Sequence, residues 1–291
     1  MKRLLGTCLK RRVSAVQRDE LVVRAHHRMK WTRFLWFRVA FSEFAKAMSL
    51  LGCLLLVSVS ASAQQNLFNI PSGDITPKGK FFYQHQLNFY KLQEFETKSH
   101  LVLGLGKGWD GGVNLVDLPL RVGDSPVISY NDDSNRKPLY PLLMFTLQKQ
   151  INLSKKVNVN LGTQVGPNIS PNTLNKKFAF FNYVVLKTKL LKRINLVGGA
   201  YHTDNTFVGK DKHHFGFLAG YEVPLTKRFS LMGDMISGKH KKAQSTIGAL
   251  YTVSKRTQLC AAALIDYPHG MKNHGLVLEL NIFGWDIEMH H

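Results

Sequence analysis

Apolar and polar side chains alternate with a period of two along much of this sequence. The clearest case is residues 157–166, VNVNLGTQVG, where the odd positions are valine, leucine and threonine and the even positions are asparagine, glutamine and glycine. Residues 243–253 and 276–282 repeat the pattern. Because successive side chains of a strand point to opposite faces, each segment predicts a strand with one apolar and one polar face. The mean hydropathy of -0.13 excludes a multi-span helical membrane protein.

The connections between these segments fall into two kinds. Short basic turns recur about every 30 to 37 residues, as LSKKVNV at 153–159, LLKRINL at 190–196, LTKRFSL at 225–231 and VSKRTQL at 253–259. Longer polar loops lie between them, at 166–177, 203–212, 237–242 and 266–273. Short turns at one end and long loops at the other are typical of an outer-membrane barrel. A soluble sandwich does not need that asymmetry.

The alternating segments number twelve. We predict strands at about 79–90, 94–106, 109–120, 138–152, 156–166, 177–190, 193–203, 213–224, 227–237, 242–253, 256–266 and 274–283. An even number brings both chain ends to the same side, as in bacterial single-chain barrels. The predicted fold class is therefore all-β, a transmembrane antiparallel up-and-down barrel of about twelve strands.

The amino-terminal stretch predicts a targeting signal. Residues 50–59, LLGCLLLVSV, form the only long apolar run and are too short to cross a bilayer as a helix. Small residues follow at 60–63, which predicts cleavage after Ala63, and Met29 opens a conventional leader and is the expected start. We therefore divide the chain into a leader with signal peptide at 1–63 and a barrel domain at 64–291.

The formal net charge of +20 first suggests a polyanionic partner. Residues 1–63 carry 12 Lys and Arg against 3 acids, so the net charge of the remainder is +11. Those basic residues concentrate in turns rather than along one face with stacked aromatics, so we expect no nucleic-acid partner. Basic residues beside the membrane instead suit anionic headgroups.

These features together resemble the porin-like outer-membrane β-barrels of Gram-negative bacteria. The resemblance rests on the signal ending ASA before QQ, the alternating strands, and the final strand HGLVLELNIF at 274–283. It implies an outer-membrane location, contact with membrane lipid and lipopolysaccharide, and insertion by the barrel assembly machinery. The chain continues past Phe283 with GWDIEMHH, and Phe283 is out of phase with the apolar face of its strand.

The polar faces of the strands predict which residues face the lumen. The candidates are Glu96, Lys98, His100, Asn158, Asn160, Gln164, Lys187, Lys189, His214, Glu222, Asp234, Asp266 and Glu279. Both signs of charge are present, which is compatible with salt bridges across a closed lumen or with a pore lining for a small polar or anionic solute.

A passive channel for small polar solutes, or a structural barrel, is the function this pattern favours. The alternatives are a barrel enzyme that modifies lipid or lipopolysaccharide and a soluble periplasmic β-domain. The candidate catalytic pairs are His100 with Ser99, and His240 with Ser237 or Ser245. Catalysis has little support, because Ser99 and His100 are strand neighbours that point to opposite faces and because no GxSxG motif occurs.

Neither a cofactor nor a metal is expected. His213 and His214, like His290 and His291, are adjacent rather than spaced for a shared metal. The stretch GLGKGWDGG at 104–112 lacks the spacing of a phosphate-binding loop, and it predicts a hairpin turn in which glycine supplies a positive φ.

Overall fold

The computed structural model describes residues 65–91, 94–121, 127–133, 135–171, 177–191, 193–209, 214–266 and 274–287. The predicted signal peptide, the start at Met29 and the cleavage after Ala63 lie outside these residues.

Twelve antiparallel strands form one closed ring in the described part of the chain. They are β1 (Phe81–Lys91), β2 (Glu94–Gly106), β3 (Trp109–Arg121), β5 (Leu142–Asn152), β6 (Val157–Pro167), β7 (Phe178–Leu190), β8 (Ile194–Thr203), β9 (Phe215–Pro224), β10 (Phe229–Ile236), β11 (Gln244–Ser254), β12 (Thr257–Ile265) and β13 (Gly275–Phe283). A two-residue strand, β4 (Val127–Ile128), pairs with β3 outside the ring, and one helical turn, α1 (Asn205–Val208), follows β8. The ring closes between β1 and β13, with Phe82 opposite Phe283 and Phe89 opposite Leu276. The predicted barrel is confirmed.

The period-two alternation separates a polar interior from an apolar exterior. Along β1, Phe82, Gln84, Gln86 and Asn88 are buried inside the ring, and the residues between them face outward. Large apolar side chains cover the outer face of the strands, among them Leu101, Phe145, Leu161, Leu186, Phe217, Leu231, Leu259 and Leu278. Such a surface suits hydrocarbon and is unfavourable in water.

The connections divide between the two ends of the barrel. One end, the turn end, carries the short links at 107–108, 153–156, 191–193, 225–228 and 255–256. The opposite end, the loop end, carries the longer links and also the two-residue link between β1 and β2. At the turn between β2 and β3, Lys107 and Gly108 both have positive φ, 53° and 77°. That conformation is the one a tight hairpin needs, so the predicted hairpin turn with a glycine at positive φ is confirmed at Gly108.

Residues 65–76, which we call the lumen segment, fold back on themselves inside the barrel. Leu67 N donates to Ile70 O at 2.9 Å and Ser72 N donates to Gln65 O at 2.9 Å, which makes a narrow loop. Phe68, Leu67 and Ile70 are buried. This segment has no strand periodicity, so the alternation that predicts the barrel does not predict where the segment lies.

The carboxyl-terminal tail runs across the turn end. Gly284 N donates to Phe81 O at 2.8 Å, and the buried Ile287 packs with Phe283, Phe82 and Trp285. Phe283 therefore faces inward, which explains why it is out of phase with the lipid-facing residues of its strand. Outside the strands, the guanidinium of Arg256, 2.6 Å from Asp286, lowers the pKa of that carboxyl.

Gly104 of β2 leaves space for the chain that links the lumen segment to β1. A Cβ there would lie 2.1 Å from Pro77 O, whereas a Cβ at Gly198 of β8 would have no atom within 4 Å. We expect Gly104→Ala to cost about 1–3 kcal/mol of stability because main chain must move. Gly198→Ala is the matched control. Urea unfolding in detergent, followed by tryptophan fluorescence, measures both, and equal midpoints would contradict the close contact.

Candidate functional site

An ion pair holds one limb of the lumen segment to the barrel wall. Lys187 of β7 pairs with Asp74, and both side chains are largely buried. From β5, Gln148 Nε2 donates to Asp74 O at 2.6 Å and Gln150 Nε2 donates to Gly73 O at 2.8 Å. Inward-facing side chains of two strands thus satisfy the polar groups of this limb.

A single buried carboxylate caps the turn at the tip of the segment. Asp234 of β10 accepts hydrogen bonds from the main-chain N–H groups of Asn69 and Ile70, the latter at 3.2 Å. Asn69 Nδ2 also donates to Thr246 Oγ1 of β11 at 2.8 Å. Hydrogen bonds to a charged acceptor are stronger than neutral ones, so Asp234 fixes the tip.

Asp110 of β3 joins the two ends of the segment. Its carboxylate accepts from Thr76 N at 2.9 Å and from the side-chain amide of Gln65. On the opposite wall, Gly220 gives the segment room, since a Cβ there would lie 2.3 Å from Leu67 Cδ1. The lumen segment is therefore held mainly by polar contacts around a small apolar centre.

A cavity of about 110 Å³ lies beside the tip of the lumen segment. One wall is apolar and consists of Phe68, Phe181, Phe207, Val208 and Ile236. The other wall is polar and consists mainly of Gln84, Gln86, Lys98, His100, Asn114, His240 and Lys242. Because α1 and residues 237–243 belong to connections at the loop end, loops as well as strands enclose this space.

Two of the basic side chains around the cavity are engaged by protein groups. Lys242 pairs with Asp117 and lies 3.9 Å from Glu96 Oε1. The ring of His240 is 2.6 Å from Tyr201 OH. Lys98 differs, because no carboxylate of the described residues lies within ion-pair distance of its ammonium, which contacts Asn69 Oδ1 at 3.4 Å.

The predicted lumen residues occupy three zones. Lys98, His100 and Gln164 line the cavity, with Glu96 beside it at Lys242. A second group lies deeper in the barrel: Lys187, Asp234, Asn158, Asn160, Glu222 and Glu279. In that group Glu222 accepts from Asn195 Nδ2 at 2.9 Å and Glu279 accepts from Asn281 Nδ2 at 2.8 Å. The remaining three, Lys189, His214 and Asp266, lie at or just beyond strand ends.

Sequence reasoning missed the lumen segment and its contacts Asp74, Asn69 and Asp110. The alternation of β3 does place Asp110 on the inward face, but the glycines around it obscure the pattern. A further signal is the apolar group Leu67, Phe68 and Ile70, which belongs to no alternating strand and must be buried against something.

The predicted separation of Ser99 and His100 is seen in the structure. His100 faces the lumen and contacts Asn114, whereas Ser99 faces outward with its Oγ 2.9 Å from His85 Nδ1. Thr97 Oγ1 lies 3.4 Å from the other ring nitrogen of His85. These outward groups satisfy one another on a surface where an unpaired polar group is costly.

In the second candidate pair, His240 with Ser237 or Ser245, the side chains have other partners or lie on different faces of the barrel. Ser237 Oγ accepts from Phe217 N at 2.6 Å, while the His240 ring contacts Tyr201 OH. Ser245 lies on the outer face of β11, opposite Met235 of the neighbouring strand.

In the described ranges, no three His, Cys, Asp or Glu side chains are grouped to hold a metal ion. No helix among these same residues is long and apolar enough to span a membrane.

A closed antiparallel barrel with an apolar outside, a polar lumen, short turns at one end and longer loops at the other defines an outer-membrane-type β-barrel protein. No family model and no curated protein sequence matches the chain.

Three solved structures illustrate the likeness of fold. The chain is similar to the NanC porin, with 10% identity and a TM-score of 0.47 over 70% of this chain and 99% of that one. It is similar to outer membrane phospholipase A from Escherichia coli, with 10% identity and a TM-score of 0.43 over 70% of this chain and 90% of that one. It is also similar to the Ralstonia pickettii toluene transporter TbuX, with 8% identity and a TM-score of 0.39 over 78% of this chain and 96% of that one. These likenesses carry no functional argument.

The ion pair between Lys187 and Asp74 predicts a measurable effect on the lumen segment. Lys187→Gln leaves a buried carboxylate without its cation, which costs about 1–3 kcal/mol of local stability. We expect amide hydrogen exchange in residues 65–76 to accelerate roughly tenfold or more. Mass spectrometry of the corresponding peptide measures it. Lys189→Gln, at the exposed end of β7, is the control, and equal exchange in the two variants would contradict a role for the pair.

Proposed function

We propose that this protein is a gated channel of the outer membrane for small solutes, closed by the lumen segment and opened when that segment moves. The observation that carries the proposal is the polar attachment of residues 65–76 inside a polar lumen. Closure by the lumen segment distinguishes the proposed gated channel from a permanently open pore.

The outer surface supports a membrane location. Large apolar residues on every side of the ring would face water in a soluble periplasmic domain. A signal peptide ending at Ala63 would direct the chain out of the cytoplasm. Membrane lipid, lipopolysaccharide and the barrel assembly machinery then remain the proposed partners, and the basic turns at 153–156, 191–193, 225–228 and 255–256 would lie on the periplasmic side.

The way the lumen segment is attached supports movement. Between residues 65 and 76 the main chain forms no ladder with any strand of the described barrel, and its one bridge, Asn66 with Pro71, is internal. The segment can therefore leave without breaking a strand pairing. Buried charges such as Lys187 and Asp74 stabilise a closed state less than well-packed apolar groups, so their presence favours a reversible closure over a permanent seal.

The enzyme alternative has weaker support. Ser99 and His85 lie near the middle of their strands, on the outer face, where hydrocarbon rather than ester groups would meet them. In the described chain, no carboxylate approaches the His85 ring.

Single-channel recording tests the proposal. Reconstituted in planar bilayers, the mature wild-type protein is expected to be closed most of the time, because the lumen segment blocks the pathway. Deletion of residues 65–76 is expected to give large, long-lived conductance steps. Lys187→Gln is expected to increase the open fraction about tenfold, in proportion to the lost ion pair.

The control is Lys189→Gln, with wild-type behaviour expected. Heat-modifiable migration on a gel confirms folding of each variant before recording. If the deletion variant is folded and electrically silent, the channel proposal is wrong and a structural or enzymatic barrel replaces it. If the wild type is already fully open, the gating part is wrong.

A further inference from the structure

We propose that the cavity beside the lumen segment binds a small organic monoanion with an apolar body, its carboxylate at Lys98 and its body against the phenylalanine wall. The inference rests on the proposed function and deepens it by naming the class of solute. It depends on the size of the cavity, on the chemistry of its two walls and on the lack of a carboxylate partner for Lys98 among the described residues.

The cavity is the right size for a solute with one ring. It measures about 110 Å³, whereas a single water needs roughly 10–15 Å³ of the same kind of volume. Ligand sites are typically apolar pockets with a few convergent polar groups that fix orientation, and this cavity has that character.

The apolar wall is an aromatic surface. The rings of Phe181 and Phe207 lie 5.4 Å apart, and Phe181 also stacks on Tyr201 at 5.3 Å. Phe68, at the tip of the lumen segment, completes the wall and is buried. A flat apolar body gains contact with these rings that a fully hydrated ion would not.

On the opposite wall, one lysine ammonium has no carboxylate of the described residues in ion-pair contact. Asp117 and Glu96 both lie within ion-pair distance of Lys242, and the His100 ring contacts the Asn114 amide. The ammonium of Lys98 has only the amide oxygen of Asn69 at 3.4 Å within the described structure. An amine that is partly removed from water and lacks a carboxylate partner favours an anion at that point.

The same contact connects solute binding to the lumen segment. Asn69 Oδ1 accepts from Gln86 Nε2 at 3.3 Å as well as from Lys98, and the main-chain N–H of Asn69 is bound by Asp234. A carboxylate at Lys98 competes with Asn69 for its ammonium. Solute binding thereby weakens the attachment of the tip and favours the open channel.

Benzoate is a suitable probe, because it combines a carboxylate with one ring. Isothermal titration of the mature protein in detergent is expected to show saturable binding below about 10 mM, at least about tenfold tighter than benzyl alcohol or acetate. The alcohol lacks the charge and acetate lacks the ring. Equal affinity for benzoate and benzyl alcohol, or absence of benzoate binding, overturns the inference.

Two variants localise the site. Lys98→Gln is expected to weaken benzoate binding at least about tenfold and to leave benzyl alcohol binding unchanged, as the loss of one charge-assisted hydrogen bond predicts. Phe207→Ala is expected to weaken both ligands. Lys189→Gln is the matched control for the first change, and equal benzoate affinities in Lys98→Gln and Lys189→Gln overturn the assignment to Lys98.

The binding measurement in detergent is independent of conductance. Benzoate binding in a protein that never conducts supports this site and overturns the channel proposal. Conductance without benzoate binding overturns this site and leaves the channel in place.

Discussion

Closure of the hydrogen-bonded ring is the constraint on which the rest of the structure depends. Hydrocarbon offers no partner for a main-chain N–H or C=O, so a sheet in the membrane must have no free edge. The pairing of β1 with β13 meets that requirement. It also brings both ends of the barrel sequence to the turn end, which is why the lumen segment and the tail after Phe283 both lie there.

A ring of twelve strands leaves an interior that must be filled or hydrated. Inward-facing side chains alone do not fill it, and the lumen segment occupies the remaining space beside the turn end. Its attachment to Lys187, Asp234 and Asp110 is polar and costs more desolvation than apolar contacts of the same size would. The cavity beyond its tip is what the segment and the loops leave unfilled.

Much of the barrel was predictable because each strand carries its own signal. Residues 157–166 identify β6 from ten side chains, and the basic turns identify the ends of the strands without knowledge of their neighbours. The inward face of Lys187 and Asp234 follows from the same period. The partner of Lys187 does not, because Asp74 lies in a segment with no period and 113 residues away in sequence.

The sequence by itself determined the alternation, the number of strands in the ring, and which face of each strand is apolar and which is polar. These features depend on local side-chain order and on strand geometry. Only the tertiary structure decided where residues 65–76 lie and which charges meet within the lumen. It also decided that Lys98 faces a cavity with no carboxylate of the described residues within ion-pair distance. The physical reason is that the twelve strand pairings of the closed ring bring residues together at distances that no local pattern encodes.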